Sequence, residues 1–202
     1  MTSNIAIDPA KQGFMDTVAL NGAESASQAL SRWFGRSVEI TTGGFQVVPL
    51  EDLTELMCGP EEVIVAVHTL IAGSLGGHVL LAFPEDVAYG IADTLMQQPA
   101  GTTATLGEME QSAIQETGNI VSSAFINSLA NSLGVRAMPT APTVLQDMAG
   151  AIIEPLVLEQ AATSNQALMI SASFKINDTE LDWWLFVLPD PKTLKVMEAL
   201  LT

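Results

Sequence analysis

The sequence repeats a pattern upon itself, and a chain that does so must build its fold from two similar halves. Two helix endings, Ala29-Leu30-Ser31-Arg32-Trp33-Phe34-Gly35 and Ser128-Leu129-Ala130-Asn131-Ser132-Leu133-Gly134, stand 128 − 29 = 99 residues apart. Each closes on glycine, the residue that most readily takes the left-handed conformation just past a helix. A second pair of markers, Phe83-Pro84-Glu85-Asp86 and Leu188-Pro189-Asp190-Pro191, stands 188 − 83 = 105 apart and leads into helical patterns ending near Leu95 and Leu200. The offsets differ by 105 − 99 = 6, a small length change within a tandem duplication.

Each half then reads as a long helix, two or three strands and a short closing helix. The first helix covers 9–34, with strand-like runs at 38–40 and 45–48 around Thr41-Thr42-Gly43-Gly44. Longer strands follow at 63–70 and 74–83, with a hairpin about Ala72-Gly73. In the second half, runs at 168–176 and 181–188 flank a polar turn, Asn177-Asp178-Thr179-Glu180. Small residues on the inner helix faces (Ala19, Gly22, Ala26; Gly118, Val121) permit close packing. The expected fold is α+β: a pseudo-twofold duplicated helix-strand repeat, with long helices on one continuous, mostly antiparallel sheet. It forms a single domain over 1–202, with repeats at about 1–97 and 106–202 and a connector at 97–106 containing Pro99 and Gly101.

With 48% hydrophobic residues in a chain of 202, a sizeable core can be buried. Nine methionines and few aromatics make that core adaptable. No window supplies the roughly 20 apolar residues of a membrane helix, and the N-terminus lacks a charged-then-apolar leader, so the expected location is the cytoplasm. The lone Cys58 fits a reducing compartment. A formal charge of −16 argues against nucleic acid and anionic membrane, whose phosphates need clustered Lys and Arg, and points to a protein or a basic site as partner. A salt-adapted proteome is another source of such acidity, although only 15% of the chain is charged.

Within the second long helix lies a sparse polar run. At 100° per residue, Ser112, Asn119, Ser123 and Asn127 all fall within roughly 60° of Glu116. Ile114, Gly118, Val121, Phe125 and Leu129 lie opposite, so the helix anchors one face and presents a carboxylate and a neutral amide on the other. By spacing alone, such a stripe is most often a solvated surface.

The longer pattern gives it another meaning. Ser112-x3-Glu116-x2-Asn119-x22-Pro142 resembles, at every position, the signature of the CheC, CheX and FliY phosphatases of bacterial and archaeal chemotaxis. Gly118-Asn119-Ile120, the run 129–134, Asp147-Met148 and the first-half stretch from Phe34-Gly35-Arg36-Ser37-Val38 to Val47-Val48-Pro49-Leu50 also resemble CheC. By this resemblance the chain, longer than CheX, is expected to be a CheC-like form without the added motor-switch domain of full FliY.

The resemblance implies hydrolysis of the aspartyl phosphate on the response regulator CheY, whose own site supplies Mg²⁺ and a lysine. Phosphoryl transfer gains mainly from positioning and charge stabilisation, and an amide that both donates and accepts can hold a water in line with phosphorus. Asn119 takes that role, and Glu116 acts as a clamp on the regulator's lysine. Ser112 and Pro142 support the signature, the latter shaping a loop. Ile120, Ser123 and Asp147 are candidate partner contacts; Asp147 sits where the family docks the deamidase CheD, or is an ordinary turn acid. No cofactor and no metal of its own is expected, and the chain is expected to be a monomer.

The first half departs from this pattern. Shifting the signature back by 99 residues lands on Gly13, Thr17, Leu20 and Gly43, so neither carboxylate nor amide survives there. The chain resembles a single-site form, with a non-catalytic module that sequesters phosphorylated CheY or regulates CheD as the alternative. The remaining chemistry-bearing residues read as structural. His68 and His78 stand on separate strands with no clear acidic partner, Cys58 lacks a cation to activate it, and Trp183-Trp184 alternates across a strand. Gly73-x2-Gly76-Gly77 lacks the lysine of a phosphate loop.

Overall fold

The computed structural model describes residues 9–162, 164–176 and 179–200. Asn177 and Asp178 of the expected polar turn, and residues 1–8, lie outside that range. The first half runs α1 (Pro9–Phe34), β1 (Val38–Pro49), a 3-10 turn (Leu50–Asp52), α2 (Leu53–Met57), β2 (Val63–Gly73), β3 (Gly77–Pro84) and α3 (Glu85–Leu95). The second runs α4 (Glu108–Ser132), β4 (Ala137–Pro139), β5 (Thr143–Met148), α5 (Ala149–Ala161), β6 (Gln166–Ile176), β7 (Thr179–Pro189) and α6 (Pro191–Leu200). Long helices with exposed polar faces, a glycine past each end and proline before each closing helix account for most of these boundaries. Gly35 and Gly134 both take the left-handed conformation, at φ 65° and 64°.

The seven strands among the described residues join one antiparallel sheet in the order β1-β6-β7-β3-β2, with β4 and β5 both paired to the outer side of β2. The order is symmetric about the β7-β3 pair. Each half gives its edge strand to the other: β1 pairs with β6, and β4 and β5 pair with β2. Neither half could complete the sheet alone.

Two details correct the sequence reading. Phe83 lies in the core beneath α1 and α4, whereas Leu188 lies in the core on the opposite face, so these two are not equivalent positions. The closing helices begin 191 − 85 = 106 residues apart, and that offset puts β3 and β7 in phase, taking Leu81 to Val187 on one face and Leu80 to Phe186 on the other. Residues 38–40 and 45–48 are one strand, interrupted where Gly43 and Gly44 both face Ser171. Such an extra residue is a β-bulge, which bends the strand without ending it.

The helices α1 and α4 pack antiparallel on one face of the sheet. Gly22 admits the Phe125 ring, and Ser128 Oγ donates to the Val18 carbonyl at 2.8 Å. Beneath them Trp183 stacks on Phe174 at 4.9 Å and meets Phe125 edge-on at 6.3 Å, an arrangement that adds to the burial of all three rings. On the opposite face α2 and α5 cover Ile64, Ala66, Leu80, Ala82, Met169 and Phe186, with Trp184 half-buried at the margin. The alternation of the two tryptophans along the strand places them on opposite faces of the sheet, and neither is exposed.

The connector between the halves is fixed by one buried carboxylate. Asp93 accepts hydrogen bonds from the Gly101, Thr102 and Thr103 amides at 2.7, 3.0 and 2.8 Å and from Thr103 Oγ1 at 2.6 Å. Burial pushes its pKa up, but these four donors outweigh burial and hold it below the usual carboxylate range.

Candidate active site

Helix α4 presents the polar stripe because its opposite face is driven into the sheet. Ile114, Val121, Phe125 and Leu129 are all buried. Gly118 faces β2 so closely that an added Cβ would lie 2.5 Å from the Val67 side chain. The missing side chain lets the helix approach the sheet and fixes the height of the residues one turn to either side.

On the outer face, Glu116 and Ser112 are exposed, and Asn119 and Ser123 are half-buried. Asn119 Nδ2 donates to Glu116 Oε2 at 3.4 Å, and Ser123 Oγ donates to Asn119 Oδ1 at 3.5 Å. These long contacts bias the amide so that its N–H side faces the carboxylate and its carbonyl faces the hydroxyl. One N–H and one lone pair of Asn119 stay open for a water or a phosphoryl oxygen. Ser112 lies one turn before Glu116 and forms no hydrogen bond with the stripe among the described residues.

The structure brings Pro142 to this helix across the 22 intervening residues of the signature. Pro139 pairs with Ile71 and Thr143 with His68, so Thr140, Ala141 and Pro142 face only Thr69 and Leu70. This is a second β-bulge, placed at the stripe. It is held to β2 by Thr140 N donating to Leu70 O at 2.9 Å and Leu70 N donating to Thr140 Oγ1 at 3.2 Å. On its other side, Gln115 Nε2 donates to the Pro142 carbonyl at 2.6 Å. Sequence reasoning missed Gln115, although its place directly before Glu116 was a usable signal.

Two candidate contacts fall elsewhere. Ile120 is half-buried and packs on the core beneath α4, so only part of it faces outward. Asp147 is exposed, near the far end of β5 and opposite Ile64, with its carboxylate accepting from the Met148 amide at 2.8 Å. Four residue steps along the strand separate it from Thr143, roughly 13 Å at strand rise. Asp147 therefore belongs to a different patch from the Glu116 and Asn119 pair.

On the opposite sheet face, His68 Nε2 and His78 Nδ1 share a hydrogen bond of 2.9 Å, and His78 Nε2 lies 3.3 Å from Glu159 on α5. The sequence showed no acidic partner for this pair because α5 was not read as a helix. Burial, then the neighbouring His78, lower the His68 pKa, with Glu159 opposing. Among the described residues, no cluster of three or more His, Cys, Asp or Glu is placed to hold a metal ion. Cys58 is exposed, with desolvation and then Glu62 pushing its thiol up, which makes it a poor nucleophile.

The stretch carrying this geometry, residues 109–145, matches the model of the CheC-like family. The CheY-P phosphatase CheC of Bacillus subtilis is 24% identical over 173 residues, covering 84% of this chain and 83% of that protein. Over this stretch the chain is similar to the CheC-like family. The putative CheY-P phosphatase CheC1 of Halobacterium salinarum is 25% identical to this CheC-like chain over 188 residues, covering 91% and 92% of the two. Among solved structures, FliY of Thermotoga maritima superposes with a TM-score of 0.75 at 17% identity, covering 98% of each chain. The middle domain of FliM from H. pylori does so at 0.64 and 14%, covering 96% of this chain and 98% of that one. At such identities the two structures establish that the chain shares their fold, with helices over an antiparallel sheet. No helix among its described residues is long and apolar enough to cross a membrane.

Proposed function

We propose that this CheC-like chain dephosphorylates a CheY-type response regulator in chemotactic signalling. The observation that carries the reading is the outward-facing Glu116 and Asn119 pair, one helical turn apart beside the Pro142 bulge. In the docked state, Glu116 pairs with a regulator lysine and fixes the register of α4 over the phosphorylated site. Asn119 holds a water in line with phosphorus. The water oxygen forms the new bond to phosphorus as the bond to the aspartyl oxygen breaks, yielding inorganic phosphate and a free carboxylate, and the water proton leaves with phosphate and solvent. Mg²⁺ belongs to the regulator's own site, and this chain needs no cofactor for its part.

Ser123 supports this reading by orienting the amide, and Ser112 leaves room for the partner's approach. Asp147, on its separate patch, is a candidate contact for a second partner such as CheD. The test measures phosphate loss from phosphorylated CheY with and without the purified chain. Glu116→Ala should weaken docking and turnover together; unchanged docking and turnover would remove the clamp role. Unaltered decay in the presence of the intact chain would leave a binding module. The first half favours that second reading for its own surface, because exposed Leu20 stands where Asn119 stands in α4.

A further inference from the structure

The two bulges occupy matching places. Gly43 and Gly44 interrupt β1, and Thr140 to Pro142 interrupt the edge formed by β4 and β5; the shift of 99 residues that takes Gly35 to Gly134 takes Gly43 to Pro142. The same shift takes Asp16 to Gln115. Asp16 projects from α1 onto the first bulge, where a Cβ on Gly44 would collide with its carboxylate, and Gln12 Nε2 links Asp16 Oδ1 at 2.8 Å to the Phe45 carbonyl at 3.1 Å. Gln115 projects from α4 onto the second bulge and donates to Pro142 O. In both halves, one helix position reaches the bulge of the neighbouring edge strand.

We infer that Gln115 is a positioning residue, the tie that sets the Pro142 bulge against the Glu116 and Asn119 stripe. The inference rests on the phosphatase reading for its functional part and on geometry for its structural part. The Pro142 carbonyl is available for such a tie because Pro142 lies in the bulge, outside the pairing of β4 and β5 with β2. Thr140 fastens the bulge to β2, and Gln115 fastens it to α4, so the wall beside the stripe is fixed from both sides. Without Gln115 the Thr140 bonds alone would hold the bulge, so they would open more readily and the wall could swing away from the helix. The reacting groups would be intact, but a docking partner would have to pay the ordering entropy of the bulge on binding.

The experiment uses Gln115→Glu, which keeps shape but places an acceptor against the Pro142 carbonyl, and Gln115→Ala, which removes the group. Gln111→Ala is the control, since Gln111 reaches only the Leu106 carbonyl. Amide exchange at Thr140 and Leu70 in the chain alone should quicken about tenfold in both Gln115 variants, the scale of one well-made hydrogen bond. With phosphorylated CheY, KM should rise about tenfold while kcat stays within about twofold, because loss is confined to docking. The Gln111 variant should change neither.

Unchanged exchange in both Gln115 variants would overturn the tie. A fall in kcat with KM unchanged would overturn the positioning role, since it would place Gln115 among the groups acting on the reacting atoms. If the wild-type chain left CheY phosphate untouched while exchange quickened, the phosphatase reading would fall separately, and Gln115 would be a structural tie alone.

Discussion

The two halves share one frame and carry different side chains on it. Around α4 the frame carries Glu116, Asn119, Gln115 and Pro142; around α1 the matching positions are Thr17, Leu20, Asp16 and Gly43. Helix, bulge and the side chain between them are kept in both, whereas the carboxylate and amide stand in one. The scaffold that positions a site and the residues proposed to act on it are therefore separable, because both halves keep the helix and the bulge while only the second carries the carboxylate and amide.

The sharpest test of that asymmetry sets Asn119→Ala against Leu20→Ala. If the chain is the proposed phosphatase, removing the amide assigned to hold the water should lower the acceleration of CheY phosphate loss by about 100-fold or more, the scale seen when a preorganised hydrogen-bonding group is deleted from a reacting centre. Leu20→Ala should leave it within about twofold. Both residues point outward, so thermal unfolding should confirm that both variants fold. Equal losses would mean that the first half takes part in turnover.

Next in size is the height of the helices. Gly118 meets Val67 at 2.5 Å from an ideal Cβ, while its counterpart in α1 is Ala19, which is fully buried with its methyl in place. Making the second half like the first with Gly118→Ala should cost about 1–3 kcal/mol through overpacking, despite alanine's better helix propensity. The reverse change, Ala19→Gly, should cost about 1 kcal/mol from propensity, together with the loss of a small buried methyl. Denaturant melts of the two variants give the comparison directly. A neutral Gly118→Ala would show that α4 can rise freely.

How much of this was legible depended on the range over which each feature is determined. The bounds of α1, the left-handed glycines and the proline-started closing helices are set by neighbours within a turn, and the sequence carried them. The stripe on α4 was equally visible, because a single helix fixes its own periodicity. The bulges were not, since register depends on partners far away: Thr140 is 70 residues from Leu70. Helix α5 escaped because Pro155 lies within it and Ile152 and Ile153 are adjacent rather than spaced by a turn. With α5 unseen, Glu159 could not be placed beside His78. Gln115 is a similar case: its neighbour Glu116 was read, but a tie to Pro142 exists only once β5 has been folded back onto β2.

A graft asks whether the first-half frame is complete. Placing Thr17→Glu and Leu20→Asn in the Asn119→Ala background should recover about tenfold of the lost acceleration, because orientation by the existing bulge and helix is already supplied. Full recovery is not expected, since Glu24 stands where Ser123 orients the amide. A folded graft with no recovery would show that the first half lacks more than the two reacting groups.

The smallest effect concerns acid. Beside the first-half bulge, Thr41 and Ser173 meet through their hydroxyls at 2.8 Å, and these do not titrate. At the second, His68 stands opposite Thr143, bonded to His78 on β3, with Glu159 of α5 beyond it. Burial and His78 lower the His68 pKa, so the unfolded chain takes up a proton at a pH where the folded chain does not. Stability from this group is present above the ordinary histidine value of about 6.5 and is lost as pH falls below it. The slope should lie under the one-proton ceiling of about 1.4 kcal/mol per pH unit, because His68 is partly exposed. After correction for intrinsic rates, exchange along the β2-β5 ladder should therefore quicken between pH 7.5 and 5.5 more than along the β1-β6 ladder, and His68→Phe should abolish the difference. Equal acid sensitivity of the two ladders would mean that the histidine pair is not what distinguishes the two edges.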